Sequence, residues 1–302
     1  MDTHNSENNT DKFKGVGVAL ITPFLENGEI DFSSLKKLVD HVVDGGVDFL
    51  VALGTTSEAA TLSLEERNAV IQFIVEQANA KLPVVVGLGS NNTYEAIRFL
   101  KEYNLKGVDA ILSVSPFYNK PQQEGIYKHF EAISSACPLP IILYNVPART
   151  SSNIEPDTAI RLANDCSNII GIKEASGDMG QCMELINKKP KDFLLLSGED
   201  KLTLPLMSIG ADGVISVTAN IAAKNFSNIV HACQKQNFAE AQKEHYLLLD
   251  LMTELFADGN PSGVKSALSH HGICGNNLRL PLVPVNKEID AKLKEIVQEL
   301  FF

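Results

Sequence analysis

Short apolar runs recur along the chain at intervals of very roughly 20 to 35 residues, room enough for one strand and one helix each. They are VGVALI from Val16, VDFLVAL from Val47, PVVVGL from Pro83, VDAILSV from Val108, LPIILY from Leu139, NIIGI from Asn168, DFLLLS from Asp192 and DGVISV from Asp212. Each is almost continuously apolar, the mark of a strand buried on both faces. Between them lie amphipathic stretches such as Leu62 to Ala80 and Thr93 to Tyr103. Ser63 followed three residues later by Glu66 predicts a capping box at the start of the first. Strands alternating with helices predict an α/β protein with a parallel sheet. The eight units favour closure into a (β/α)8 TIM barrel over an open doubly wound sheet. From about Ala222 the pattern becomes helical, predicting a C-terminal helical extension. The expected division is a disordered tail over 1–12, a catalytic barrel over 13–234 and a helical region over 235–302.

Barrels of this kind carry their chemistry at the C-terminal ends of the strands. The segments at those ends are therefore informative: GTTSE after the second run, SPFYNKP after the fourth, YNVPART after the fifth, KEASGD after the sixth, SGED after the seventh and SVTAN after the eighth. Lys173, directly after NIIGI, is the unexpected residue, because lysine is among the side chains least often buried. A free ε-amine has a pKa near ~10.4, so about one in ~2,500 is neutral at pH 7. Desolvation favours the neutral amine, which attacks carbonyls to form a Schiff base. Such chemistry needs proton transfer, and Tyr144 at the preceding strand end is the candidate, with Thr55 and Tyr118 extending the relay. Thr56 and nearby backbone amides suit a substrate carboxylate, and the planar fork of Arg149 suits a second one. The blander roles are a packed aromatic for Tyr144, turn or cap hydroxyls for Thr55 and Thr56, and a structural ion pair for Arg149.

Charge and cysteines narrow the class. The formal net charge is -11 with no run of like charges, which argues against a nucleic-acid partner, and no segment reads as a membrane span or membrane-surface helix. A small anionic substrate would need a local cationic site. The five cysteines show no CxxC spacing, and MDTHNSENNTD lacks the apolar core of an export signal. Together these predict reduced thiols and a cytoplasmic location. His270-His271 reads as an exposed pair and not a metal site, and the two Gly-x-Gly pieces at Gly15 and Gly87 lack the third glycine of a dinucleotide loop.

GTTSEAATL, SPFYNKPQQEG, ILYNVPART, GIKEASGD, LSGED and GVISVTAN together resemble the dihydrodipicolinate synthase (4-hydroxy-tetrahydrodipicolinate synthase) family, over nearly the whole chain after the N-terminal tail. Singly, several of these motifs belong to the wider pyruvate-dependent aldolase superfamily that includes N-acetylneuraminate lyase. GTT followed by YNVPxRT is more restrictive. The resemblance implies a homotetrameric barrel enzyme, a dimer of dimers, of lysine biosynthesis through diaminopimelate. It would condense pyruvate with aspartate-4-semialdehyde without metal or organic cofactor. Lys173 would be the Schiff-base lysine and Tyr144 the proton donor and acceptor, with Thr55 and with Tyr118 supplied by a neighbouring subunit. Thr56, the backbone of Ile215 and Gly198 would contact pyruvate, and Arg149 the semialdehyde carboxylate. Regulated relatives bind free lysine between two subunits, at positions matching Ala59, Leu64, Arg67, Asn91, Glu95 and Phe117 here. Ser57 stands where many members have glycine, and Phe117 where regulated members usually have tyrosine; the second departure implies weak lysine inhibition or none. The alternatives are a sister aldolase such as N-acetylneuraminate lyase, which should not need Arg149, and a barrel that senses a keto acid without turnover.

Overall fold

The computed structural model describes residues 10–302. Of the tail expected over 1–12, residues 1–9 lie outside the described residues; Asp11–Phe13 forms a single 3-10 turn. Eight strands come next: β1 (Gly15–Ala19), β2 (Phe49–Ala52), β3 (Val84–Leu88), β4 (Ala110–Val114), β5 (Ile141–Asn145), β6 (Ile169–Glu174), β7 (Leu194–Ser197) and β8 (Gly213–Ser216). Every neighbouring pair is parallel, and β8 closes on β1, giving a barrel in sequence order. Each of the eight apolar runs supplied one strand, so the expected (β/α)8 barrel is the fold.

Helices separate the strands: α1 (Phe32–Asp44), α2 (Leu64–Ala78), α3 (Thr93–Glu102), α4 (Gln123–Ala136), α5 (Pro147–Thr150), α6 (Pro156–Asp165), α7 (Met179–Lys188), α8 (Thr203–Ile209) and α9 (Ala223–Gln234). Beyond them come α10 (Phe238–Leu247), α11 (Leu249–Glu254), α12 (Ser262–His270) and α13 (Lys287–Phe301). At the start of α2 the Ser63 hydroxyl accepts from Glu66 N at 3.2 Å, and Glu66 Oε2 accepts from Ser63 N at 2.9 Å, completing the capping box.

Strand alternation sorts the apolar residues into two layers. Val84, Val86 and Leu88 face the helices in an outer cluster, while Val85 joins Phe49, Val51, Leu112, Ile142, Leu194, Leu196 and Ile215 inside the barrel. Phe13, from the 3-10 turn, is fully buried in that inner cluster and meets Phe49 edge-on, with ring centroids 6.0 Å apart. The Phe49 ring leaves no room at Gly17, where a Cβ would stand 2.2 Å from it. The barrel interior is thus filled at this end, and its open volume lies towards the C-terminal strand ends.

Two expectations need correction. The His270-His271 pair is half-buried: His270 Nε2 lies 3.0 Å from Asp290 Oδ1, and His271 packs on the Phe301 ring at 4.9 Å. Lys173 does not follow its strand but is the next-to-last residue of β6. All five cysteines are free, four of them buried. Among the described residues no helix is long and apolar enough to cross a membrane.

Candidate active site

The pairing of β5 with β6 sets Tyr144 opposite Lys173. The register shifts between Ile141 and Ile142, so the bulge, one residue longer on β6, decides which β6 side chains point inward. Lys173 is 5% exposed, and its Nζ lies 4.4 Å from the centre of the Tyr144 ring. The next residue, Glu174, is also buried, but its carboxylate is consumed structurally. It accepts from Asn145 Nδ2 at 2.9 Å, Gln181 Nε2 at 2.8 Å and Ser176 N at 2.6 Å. Lys173 has no such partner, since no hydrogen bond or ion pair holds its amine among the described residues.

A cavity of about 290 Å³ opens over this amine. Its wall takes Thr55 and Thr56 from the turn after β2, Tyr144 from β5, Arg149 from α5, Gly198 and Glu199 after β7, Val217 after β8, and Asn260 from the C-terminal region. A second cavity of about 400 Å³ shares Thr55, Tyr144, Arg149 and Asn260 and extends towards Arg67, Tyr103 and Phe117. The turn Thr55–Ser57 is held by the Ser57 hydroxyl, which donates to Gly54 O at 2.7 Å. It ends at Glu58 in a left-handed conformation (φ 56°). The Thr56 hydroxyl accepts from Asn260 Nδ2 at 3.0 Å, so a residue far along the chain sets its orientation. Arg149 lies in α5, whose first residue is Pro147, pre-set for a helical turn. Its guanidinium is exposed and forms no hydrogen bond or ion pair among the described residues, which removes the structural-bridge role.

Several expected residues lie elsewhere. Tyr118 is 82% exposed and lines neither cavity of its own chain, so one chain does not assemble the Tyr144–Thr55–Tyr118 relay. Ile215 packs inside the barrel, and Val217 is the β8-side residue on the cavity wall. Of the residues matching a lysine-binding cleft, Phe117 lines the larger cavity, Asn91 is exposed, and Glu95 accepts weakly from Ser90 Oγ at 3.4 Å. Arg67 is committed internally. Its guanidinium donates to Leu62 O at 3.1 Å, Ala59 O at 2.9 Å and the Tyr103 hydroxyl at 3.1 Å.

Sequence reasoning missed three parts of the site. Glu199 lies in the SGED segment, and only its position after a strand end hinted at a role. Burial and neighbouring Asp200 push its carboxyl above the usual range, against Lys173, Lys201 and Arg149. Asn260 gave no signal at all. The third part is a wholly buried ion pair behind the Thr55–Ser57 turn, Lys265 of α12 with Glu58, at 2.5 Å. Arg279 closes over it, donating its backbone N–H to Glu58 Oε2 at 3.0 Å and its guanidinium to Glu66, Gly28 O and Thr61 O. The C-terminal helices therefore brace the Thr55–Ser57 turn from outside the barrel.

A closed (β/α)8 barrel with a buried lysine against a tyrosine at its mouth has the parts that a lyase of the class I aldolase type requires. The sequence model of the Dihydrodipicolinate synthetase family matches residues 12–300. A 4-hydroxy-tetrahydrodipicolinate synthase of Flavobacterium psychrophilum is 49% identical over 288 residues, 95% of this chain and 98% of its own length. The chloride-inhibited dihydrodipicolinate synthase of Acinetobacter baumannii, solved with pyruvate, is 42% identical with a TM-score of 0.92, covering 95% of this chain and 98% of that one. A monomeric dihydrodipicolinate synthase variant is 39% identical with a TM-score of 0.94, covering 97% and 98%. The chain belongs to the dihydrodipicolinate synthetase family.

Proposed function

We propose that the chain condenses pyruvate with L-aspartate-4-semialdehyde to give 4-hydroxy-tetrahydrodipicolinate, a step of lysine and diaminopimelate biosynthesis. The observation that carries the mechanism is the Lys173 amine, buried, unpaired and 4.4 Å from the Tyr144 ring centre. The amine attacks the keto carbon of pyruvate, water leaves, and a Schiff base forms on Nζ. Loss of a proton from the pyruvate methyl group gives an enamine, whose carbon attacks the aldehyde of the second substrate. The α-amine of that substrate then displaces Lys173 from the imine carbon, closing the ring and freeing the enzyme.

Tyr144 moves the protons, with Thr55 beside it on the same cavity wall. Thr56 and Gly198 hold the pyruvate carboxylate end together with the β8 backbone near Ile215, and Arg149 takes the carboxylate of the semialdehyde. The outward exposure of Tyr118 supports a relay completed by one neighbouring copy, a pair that would be the unit of the homotetramer, a dimer of dimers, that the family resemblance implies. Five unpaired cysteines support a cytoplasmic location. Borohydride added with pyruvate should fix a three-carbon adduct on Lys173, read by peptide mass spectrometry. An adduct on another lysine, or on none, would overturn the Schiff-base role. Offering N-acetylmannosamine with pyruvate in place of the semialdehyde separates this reading from the sister lyase.

A further inference from the structure

Aspartate semialdehyde, the proposed second substrate, carries an α-ammonium as well as an α-carboxylate. Arg149 answers the carboxylate. The ammonium needs a partner of its own, because burying it unpaired would be costly. Among the described residues, the cavity over Lys173 has one carboxylate on its wall, that of Glu199.

Its surroundings set Glu199 apart from the other acids of this region. The backbone is pinned on both sides: Ser197 Oγ accepts from Glu199 N at 3.2 Å and donates to Glu199 O at 2.8 Å, and Thr203 Oγ1 donates to the same oxygen at 3.2 Å. Asp200, the next residue, points away and is spent on structure, accepting from Val217 N, Thr218 N and Thr218 Oγ1 at 3.2, 2.8 and 2.7 Å. The Glu199 carboxylate itself makes no hydrogen bond or ion pair among the described residues, although it is half-buried. It lies within electrostatic reach of both Lys173 and Arg149. A fixed backbone, an unpartnered acid and a place on the reacting cavity are what a ligand-binding carboxylate requires. Asn260 Oδ1 on the same wall is also unpartnered but neutral, as are the hydroxyls of Thr55 and Tyr144, and the Asn260 amide nitrogen is committed to Thr56.

We propose that Glu199 receives the α-ammonium of the amino-aldehyde substrate, so that Arg149 and Glu199 together read its amino-acid end. This inference rests on the proposed condensation and adds a specificity residue to it. Glu199→Gln keeps shape and removes charge. It should raise KM for aspartate semialdehyde roughly ten- to a hundred-fold, the scale of one hydrogen bond to a charged group. The KM for pyruvate and the borohydride-trapped adduct on Lys173 should stay within about twofold, which also reports correct folding. Succinate semialdehyde, the same carbon chain without the amino group, should inhibit the variant and the parent equally. Glu199→Asp, which retains the charge, should recover part of the lost affinity.

An unchanged KM for aspartate semialdehyde in Glu199→Gln would overturn the assignment. So would an equal loss of affinity for succinate semialdehyde, which would make Glu199 a wall residue blind to the amine. A parallel fall in pyruvate adduct would instead place Glu199 in the service of Lys173. Absence of turnover by the unsubstituted enzyme would remove the underlying condensation reading as well, a failure separate from these.

Discussion

Lys265→Met leaves the carboxylate of Glu58 in the interior without its cation. Both side chains are 0% exposed, and the amine to carboxylate distance is 2.5 Å. Burial pushes the Lys265 amine down, and the Glu58 charge holds it up. Without the amine, Glu58 keeps one backbone donor, Arg279 N at 3.0 Å. Methionine follows most of the lysine stem beside the Phe24 ring, so the change isolates the charge more than the packing. Removing one member of a buried pair costs about 3–5 kcal/mol. For a chain of 302 residues, with an unfolding entropy of ~2.1 cal/mol/K per residue, that cost lowers the thermal midpoint by about 5–8 °C. Because Glu58 closes the Thr55–Ser57 turn, kcat should fall as well, even at temperatures where the variant remains folded. Thermal unfolding followed by circular dichroism, with turnover measured well below the midpoint, tests both. The double variant Glu58→Gln/Lys265→Met buries no charge and should regain most of the lost stability. A single variant melting within about 1 °C of the parent, or a double variant worse than the single, would refute the reasoning.

The remaining predictions concern the site and its surroundings. Tyr144→Phe should lower kcat by roughly 10²-fold or more, the scale of general acid–base catalysis, whereas Arg149→Ala should chiefly raise KM for the semialdehyde and leave the trapped pyruvate adduct intact; loss of that adduct in Arg149→Ala would place Arg149 in the first half-reaction instead. Burial holds His129 at about 4, below the ~6.5 of a free imidazole, so the unfolded chain takes up a proton that the folded chain refuses. Its contribution is intact above the free value and lost as pH falls towards 4: urea denaturation should show about 2 kcal/mol less stability at pH 5 than at pH 8 from this residue, a drop that shrinks in His129→Gln. His245 and His271, also lowered by burial, act in the same direction. Lysine should inhibit weakly or not at all, because Phe117 offers no hydroxyl and Arg67 is engaged with backbone carbonyls; half-inhibition below about a millimolar at saturating pyruvate would contradict this.

The strands were legible because a parallel barrel buries both faces of each one, leaving continuous apolar runs that no surface segment needs to carry. Lys173 stood out for the same reason, as a cation directly at the end of such a run, and so did the loops collected at the strand ends. What one chain's sequence could not reveal is how residues distant along it meet. The contact of Tyr144 with Lys173 depends on a β5–β6 register that contains a bulge, and a slip of one residue would turn the lysine out of the barrel. Asn260 reaches Thr56 across 204 residues, and Lys265 reaches Glu58 across 207. Neither contact can be read from local periodicity, because α12 reads as an ordinary helix until the barrel places its lysine behind the Thr55–Ser57 turn. Glu199 and Asp200 are adjacent acids with the same composition signal. Only the tertiary structure spends one on capping the loop after β8 and leaves the other facing the cavity, because consecutive side chains leave a backbone in different directions and meet different neighbours.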